Sequence, residues 1–356
     1  MNFELTEERR MLQDTLRRYL RAEYSTERRN AILDSDAGYA PEIWTGLAEL
    51  GVIGALFSED QGGFGGAGFD LAVVFEELGR AGVVEPLLDS AVLAGGALAA
   101  AGRQDVVGAL IGGEMQLAFA HFEPGGRYDL DHVQTTATGD ALSGRKAVVM
   151  HAAAADQLVV SARDGDEIGL YLVAAGAADL DIRDYPLLSG GRAAELSMDN
   201  TPAEPLGVGL DIIEALVARA IVAQCAEALG AMETAVALTQ DYLVTRKQFG
   251  RPIGTFQALA HRMSDILIEL EQARSAVINA AGMLGTDAEA ATLSASKHLI
   301  GRVGRLVAEE AIQMHGGIAM TQEYELAHIA KRIVMADHRF GDTDYHLERF
   351  IALSVA

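Results

Sequence analysis

The sequence predicts an α+β fold in three parts: an all-α domain over residues 1–113, an antiparallel β domain over 114–207 and a four-helix-type bundle over 208–356. Three observations predict it. Apolar residues recur at helical spacing toward both ends of the chain, and strand-length apolar runs lie between turn residues in the middle. Half of the 356 residues are hydrophobic and only 22% are charged, enough for cores in more than one domain.

The first part opens with Thr6 as an N-cap and with Glu7 and Glu8 in the first turn, where their charge suits the helix dipole. Leu12, Leu16 and Leu20 then form one apolar stripe. Further helices are predicted over roughly 41–50, 69–80 and 88–101, with the glycine-rich stretch Ser58 to Gly68 as a loop. In the middle, Leu117-Ala118-Phe119-Ala120, Ala147-Val148-Val149-Met150, Leu158-Val159-Val160 and Leu170-Tyr171-Leu172-Val173 are strand-length. Turn signals at Pro124-Gly125-Gly126, Thr138-Gly139-Asp140, Ser143-Gly144 and Asp164-Gly165-Asp166 separate them, which predicts an antiparallel sheet or barrel. After residue 209, Val222, Cys225, Leu229, Met232, Val236, Thr239 and Leu243 alternate by three and four, a bundle seam with one polar interruption. Met263, Ile266, Leu270, Ala273 and Val277 mark a second long helix, which Gly285-Thr286-Asp287 ends. A third is predicted over roughly 288–314, and shorter ones over roughly 322–335 and 342–354.

A formal net charge of −23 repels phosphate backbones and anionic lipid, so nucleic acid and membrane are poor partners. No apolar run is long enough to span a bilayer and no leader pattern opens the chain; the expected location is the cytoplasm. Cys225 is the single cysteine, so no internal disulfide forms, and it reads as a buried hydrophobe. No metal-ligand spacing occurs and no metal is expected.

Three motifs carry possible chemistry. Gly63-Phe64-Gly65-Gly66-Ala67-Gly68 matches G-x-G-x-x-G, but no strand runs directly into it and acids flank it, so it reads as a helix–helix loop rather than a nucleotide cradle. Arg246-Lys247-Gln248-Phe249-Gly250-Arg251-Pro252 lies between two long helices, with Gln257 opening the next. It is either a plain turn or an anion site, since three cations cluster beside an aromatic ring in an acidic chain. Gln313-Met314-His315-Gly316-Gly317 ends the third long helix, either as a glycine cap or as a place where a ligand approaches the backbone closely.

In this order the motifs resemble the acyl-CoA dehydrogenase family over essentially the whole chain. Pro41-Glu42-Ile43-Trp44 through Glu59-Asp60-Gln61-Gly62-Gly63, then Phe122-Glu123-Pro124-Gly125 and Leu142-Ser143-Gly144-Arg145-Lys146, are similar to its N-terminal and β-domain landmarks. Tyr242 through Gly250 with Gln257, and Gln313 through Gly317, are similar to its C-terminal motifs. The resemblance implies FAD, an acyl-CoA thioester substrate, a homo- or hetero-tetramer and a flavoprotein electron acceptor. It also implies that Arg246, Phe249, Gln257, Gln313, Gly316 and Gly317 reach the adenosine–pyrophosphate half of a neighbour's FAD. Family chemistry needs a carboxylate to take the α-proton while the β-hydrogen leaves to the flavin.

The chain departs from the family at the reacting end. Phe340, before Gly341, and Ala220 occupy the two positions where the family carries its base; Asp342 is a nearby carboxylate that also reads as a helix cap. Phe122 replaces a hydroxyl residue, and Val148 and Met150 replace a tryptophan and a threonine at the flavin's edge. The chain thus resembles the smaller, atypical subunits of heteromeric bacterial acyl-CoA dehydrogenases, including those of steroid side-chain degradation. Two alternatives stand beside this one: a self-sufficient homomeric dehydrogenase using a base such as Asp342, and a scaffold member without redox chemistry.

Overall fold

The computed structural model describes residues 5–355. Six helices come first: α1 (Glu7–Glu23), α2 (Thr26–Leu33), α3 (Pro41–Glu49), α4 (Gly68–Ala81), α5 (Gly96–Ala100) and α6 (Gln104–Ile111). Strands β1 (Leu117–Ala120), β2 (Thr136–Thr138), β3 (Ala141–Met150), β4 (Gln157–Asp164), β5 (Glu167–Ala174), β6 (Leu180–Pro186), β7 (Arg192–Pro202) and β8 (Glu204–Gly209) follow. Helix α7 (Leu210–Thr245) then leads into the hairpin strands β9 (Lys247–Gln248) and β10 (Arg251–Pro252) and the helices α8 (Gln257–Met283), α9 (Glu289–His315), α10 (Glu325–Ala336) and α11 (Thr343–Val355). The order is helical, then sheet, then helical. Among the described residues no helix is long and apolar enough to cross a membrane, and no group of His, Cys, Asp and Glu could hold a metal ion.

Contacts divide the chain into two compact units. One comprises Met1–Arg29, Gly68–Val83 and Ile221–Ala356; the other comprises Asn30–Ala67 and Val84–Ala220. In the first, every seam residue from Val222 to Leu243 is buried, and so are Met263, Ile266, Leu270, Ala273 and Val277. The polar interruption is satisfied within its own helix, where the Thr239 hydroxyl donates to Ala235 O at 2.7 Å. Helices α4 and α7 cross at backbone contact: a Cβ on Gly79 would lie 1.9 Å from Glu227 O, and one on Gly230 would lie 1.9 Å from Glu76 O. Glycine costs helix stability, and this close approach is what the fold gains in return. Around the crossing, Arg17 grips Glu77 at 2.5 and 2.8 Å, while Arg80 and Arg274 both pair with Glu233. Cys225 is fully buried, and burial pushes its thiol up to about 12, so it is an inert core residue.

In the second unit the sheet runs β6-β7-β3-β2-β4-β5-β8, with β1 also on β4. Most neighbours are antiparallel, and β4 and β5 pair without a slip from Gln157↔Ala174 to Asp164↔Glu167. The expectation of a wholly antiparallel sheet meets two exceptions, since β1 and β2 both pair with β4 in parallel. Long connections, 121–135 and 139–156, let the chain return in the same direction. The predicted helix over 88–101 begins as a π-helical segment, Leu88–Gly95, whose eight residues are all buried, before α5 resumes α geometry.

A buried polar network fixes the middle of the sheet. Lys146 Nζ, wholly buried, donates to Glu123 Oε1 (2.7 Å), Ser161 Oγ (2.8 Å) and His121 O (3.1 Å). Glu123 also accepts from Gln134 N and Thr135 N at 2.7 and 3.0 Å. Burial lowers the Lys146 ammonium to about 8, with the Glu123 carboxylate opposing, and burial with the neighbouring ammonium drops His121 to about 3.

Candidate functional site: helix ends and a strand bulge

The last turn of α7 and the last turn of α9 meet. Tyr242 stacks on His315 with ring centroids 4.5 Å apart, and Arg262, early in α8, grips Glu310 of α9 at 2.5 and 2.9 Å. The segments carrying Arg246, Phe249 and Gln257 and those carrying Gln313, Gly316 and Gly317 therefore share one end of the bundle. His315 itself is structural: it is buried, its Nδ1 lies 2.8 Å from Ala311 O, and desolvation holds its pKa down.

The segment read as a turn is a two-residue hairpin. Gln248 pairs with Arg251, and Phe249 and Gly250 at the tip both have positive φ, 53° and 80°. A left-handed phenylalanine costs on the order of 1 kcal/mol. Its ring is 90% exposed, touching Phe256 only edge-on at 6.1 Å, so the chain's own packing does not offset that cost. Arg246, Lys247 and Arg251 are exposed and form no ion pair among the described residues; Arg251 lies 4.2 Å above the Phe256 ring. Gln257 opens α8, whose first turn has no side-chain cap, leaving N–H groups and the positive end of the helix dipole for an anion. On the facing helix end, Gly316 needs glycine for its φ of 71°, whereas Gly317 has an ordinary φ and open space around it. Neither strain nor crowding within the chain requires glycine at 317, and its missing side chain leaves the backbone open to close approach. Exposed cations, an exposed aromatic ring and a helix N-terminus without a side-chain cap fit the adenosine and pyrophosphate of FAD.

The base positions hold no carboxylate. Phe340 (φ 58°) is buried and forms a turn with Gly341 (φ 110°); Ala220 is fully buried in α7. Asp342 Oδ1 accepts from Tyr345 N at 2.9 Å, which caps α11. Lys297 pins the turn from α9: wholly buried, its ammonium donates to Ala336 O (3.1 Å), Asp337 O (3.0 Å) and Gly341 O (2.8 Å). Sequence reasoning missed Lys297. Its place in the apolar series Leu293, Lys297, Ile300, Gly304, Val307, Ala311 was the available signal.

The β-domain landmarks also come together. Ala147 N donates to Phe122 O at 2.9 Å, and a register shift between Lys146 and Val149 makes a bulge in β3. Val148 sits on it with φ 54° and is half exposed. Glu195 and Tyr185, neither singled out from the sequence, flank the bulge: Glu195 Oε1 accepts from Val148 N (3.3 Å) and from the Tyr185 hydroxyl (2.7 Å). The glycine motif, by contrast, is a closed loop. The N–H groups of Gly63, Phe64, Gly65 and Gly66 all donate to carbonyls within residues 54–58, and Arg219 clamps Gly66 O and Leu56 O. Those four amides are taken and do not cradle a phosphate.

Family models match two stretches: the acyl-CoA dehydrogenase N-terminal domain over residues 6–107 and the acyl-CoA dehydrogenase C-terminal domain over 207–352. Acyl-CoA dehydrogenase IpdE2 of Mycobacterium tuberculosis is 34% identical over 339 residues, 92% of this chain and 91% of that one. IpdE2 of Mycolicibacterium smegmatis is 32% identical, spanning 98% of this chain and 99% of its own. Among solved structures, the Tcur3481-Tcur3483 steroid ACAD superposes with a TM-score of 0.89 at 30% identity, over 98% of both chains. The ChsE4-ChsE5 complex from Mycobacterium tuberculosis gives 0.91 at 25% identity, over 100% of this chain and 99% of that one. Members of the family are oxidoreductases acting on CH–CH groups with FAD as cofactor. Helix-end motifs, β-domain landmarks, matching domain models and full-length relatives agree: this chain belongs to the acyl-CoA dehydrogenase family.

Proposed function

We propose that this chain is the non-catalytic subunit of a heteromeric acyl-CoA dehydrogenase. Its helix ends complete the FAD site of a partner subunit that supplies the base. One pairing of observations carries the reading. Arg246, Phe249, Gln257, Gln313, Gly316 and Gly317 are exposed, while Phe340 and Ala220 leave the base positions without a carboxylate. Arg246 would hold the pyrophosphate, Phe249 would pack on the adenine, Gln257 and Gln313 would hydrogen-bond the nucleotide, and Gly316 and Gly317 would let the backbone approach it. FAD, when bound, supplies the electron-pair acceptor for α,β-desaturation of an acyl-CoA. Two solved relatives are a steroid ACAD and a two-component complex, which supports a bulky, ring-bearing acyl group and an assembly of two kinds of subunit.

The test is co-expression with a candidate partner dehydrogenase subunit, followed by visible spectroscopy and turnover of a steroid-side-chain acyl-CoA. The complex should be yellow and active, and the chain alone colourless. Arg246→Ala removes a charge-assisted contact of about 1.5–3 kcal/mol and should lower flavin retention by the complex roughly tenfold or more. Stoichiometric FAD and full turnover from this chain alone, with Asp342 as base, would contradict the proposal.

A further inference from the structure

The helix ends suit the nucleotide half of FAD, but the β3 bulge does not suit the ring half. An isoalloxazine presents mostly acceptors along its edge, namely N1, O2, O4 and N5, with N3–H as its donor. A face that receives it must offer donors. Here the Val148 N–H, displayed on the bulge, is taken by Glu195 Oε1 at 3.3 Å. The Tyr185 hydroxyl donates to the same oxygen at 2.7 Å, so a potential second donor is consumed and the carboxylate is held over the bulge. Burial, then the hydrogen bond to Glu195, pushes the Tyr185 hydroxyl up to about 12, which keeps its proton on this bond. Phe122, tied to the bulge through Ala147 N, and Met150, at the end of β3, supply no hydroxyl or N–H side-chain donor. Beside the bulge an incoming ring meets the Glu195 carboxylate, which lies opposite Arg183 in the β6–β7 register and whose lone pairs oppose the ring's acceptors.

We propose that Glu195, locked by Tyr185 over the β3 bulge, closes this face to a flavin ring and so confines flavin to the partner's β domain. The inference rests on the heteromeric reading and adds its determinant. Glu195 is a specificity residue for cofactor placement. It acts by occupying the Val148 N–H on the bulge and by turning acceptor lone pairs toward the ring.

Riboflavin, which has the ring and no nucleotide tail, isolates this face from the helix ends. The full chain is titrated with riboflavin by fluorescence quenching, as wild type, Glu195→Gly and Glu195→Gln, with circular dichroism checking that each is folded. The wild-type chain should show no quenching into the high micromolar range. Glu195→Gly, which frees the Val148 N–H and removes the charge, should bind at least about tenfold more tightly, and Glu195→Gln, which removes the charge alone, should bind to an intermediate degree. Micromolar riboflavin binding by the wild type, or no gain in either variant, would overturn the proposal. Because riboflavin does not engage Arg246 or the helix ends, this result is independent of the Arg246→Ala result on the complex, and either claim can fail alone.

Discussion

Replacing Lys146 with methionine should unfold the β-domain unit far more readily. Methionine keeps much of the apolar stem and removes the charge. Nζ makes three hydrogen bonds, to Glu123, Ser161 and His121 O, from a wholly buried position. Its loss leaves the Glu123 carboxylate buried on two backbone donors, Gln134 N and Thr135 N. Breaking one side of a buried pair costs about 3–5 kcal/mol, a large part of a domain's 5–15 kcal/mol. The single tryptophan, Trp44, is buried in the same unit, so its fluorescence in a urea titration reports this unit's unfolding. The double variant Glu123→Leu/Lys146→Met removes both charges and should recover at least about half of the loss. Acid provides a second check. Burial raises the Glu123 pKa, but the hydrogen bonds from Lys146 and Thr135 outweigh it and leave the group below its ordinary 4.5. The stability tied to it is present above that ordinary value and is lost as pH falls through the folded one, so Lys146→Met should flatten the acid limb. A single-variant loss under about 1 kcal/mol, or a double variant no better than the single, would refute the reasoning.

Three further outcomes follow from particular contacts. Gly230→Ala places a methyl against Glu76 O and should destabilise the unit holding α4 and α7 by about 1–3 kcal/mol, read as a lowered thermal midpoint; an unchanged midpoint would show that the crossing relaxes freely. Burial, then the like charge of Glu233, raises the Glu76 carboxyl to about 7, so its contribution is present below the unfolded value of 4.5 and lost as pH rises through 7. Glu76→Gln, which also gives up the charge of the 2.8 Å contact with Arg80, should gain on the wild type as pH rises from 5 to 8, and a difference that does not vary with pH would contradict this. Gly317→Ala should leave thermal stability unchanged, because open space surrounds it, yet weaken flavin retention by the co-expressed complex; loss of stability without loss of flavin would assign the glycine to folding.

Much of the bundle was legible because helical periodicity is local. The α7 seam from Val222 to Leu243 is buried as its spacing demands, down to a threonine that satisfies itself. The sheet was half legible. Strands β4 and β5 carry continuous apolar runs, whereas β6 alternates half-buried and exposed residues and β7 is diluted by alanines and polar residues, so neither stood out. The π-helical segment 88–95 was hidden because residues buried on every side have no period to read. Of the candidate site, the helix-end motifs were readable as sequence, and the structure adds that they share one bundle end through Tyr242 and His315. The pairs that set the chemistry elsewhere lie far apart in sequence. Lys146 finds Glu123, Glu195 finds Val148 and Lys297 finds Gly341 through register and packing that no local pattern encodes.

The most direct measurement is an experimental structure of this chain assembled with its partner in the presence of FAD. Density for the adenosine and pyrophosphate should lie against Arg246, Phe249, Gln257, Gln313 and Gly317, with the isoalloxazine seated on the partner's β domain. Helix ends that face bulk solvent, with the dinucleotide held elsewhere, would contradict the account.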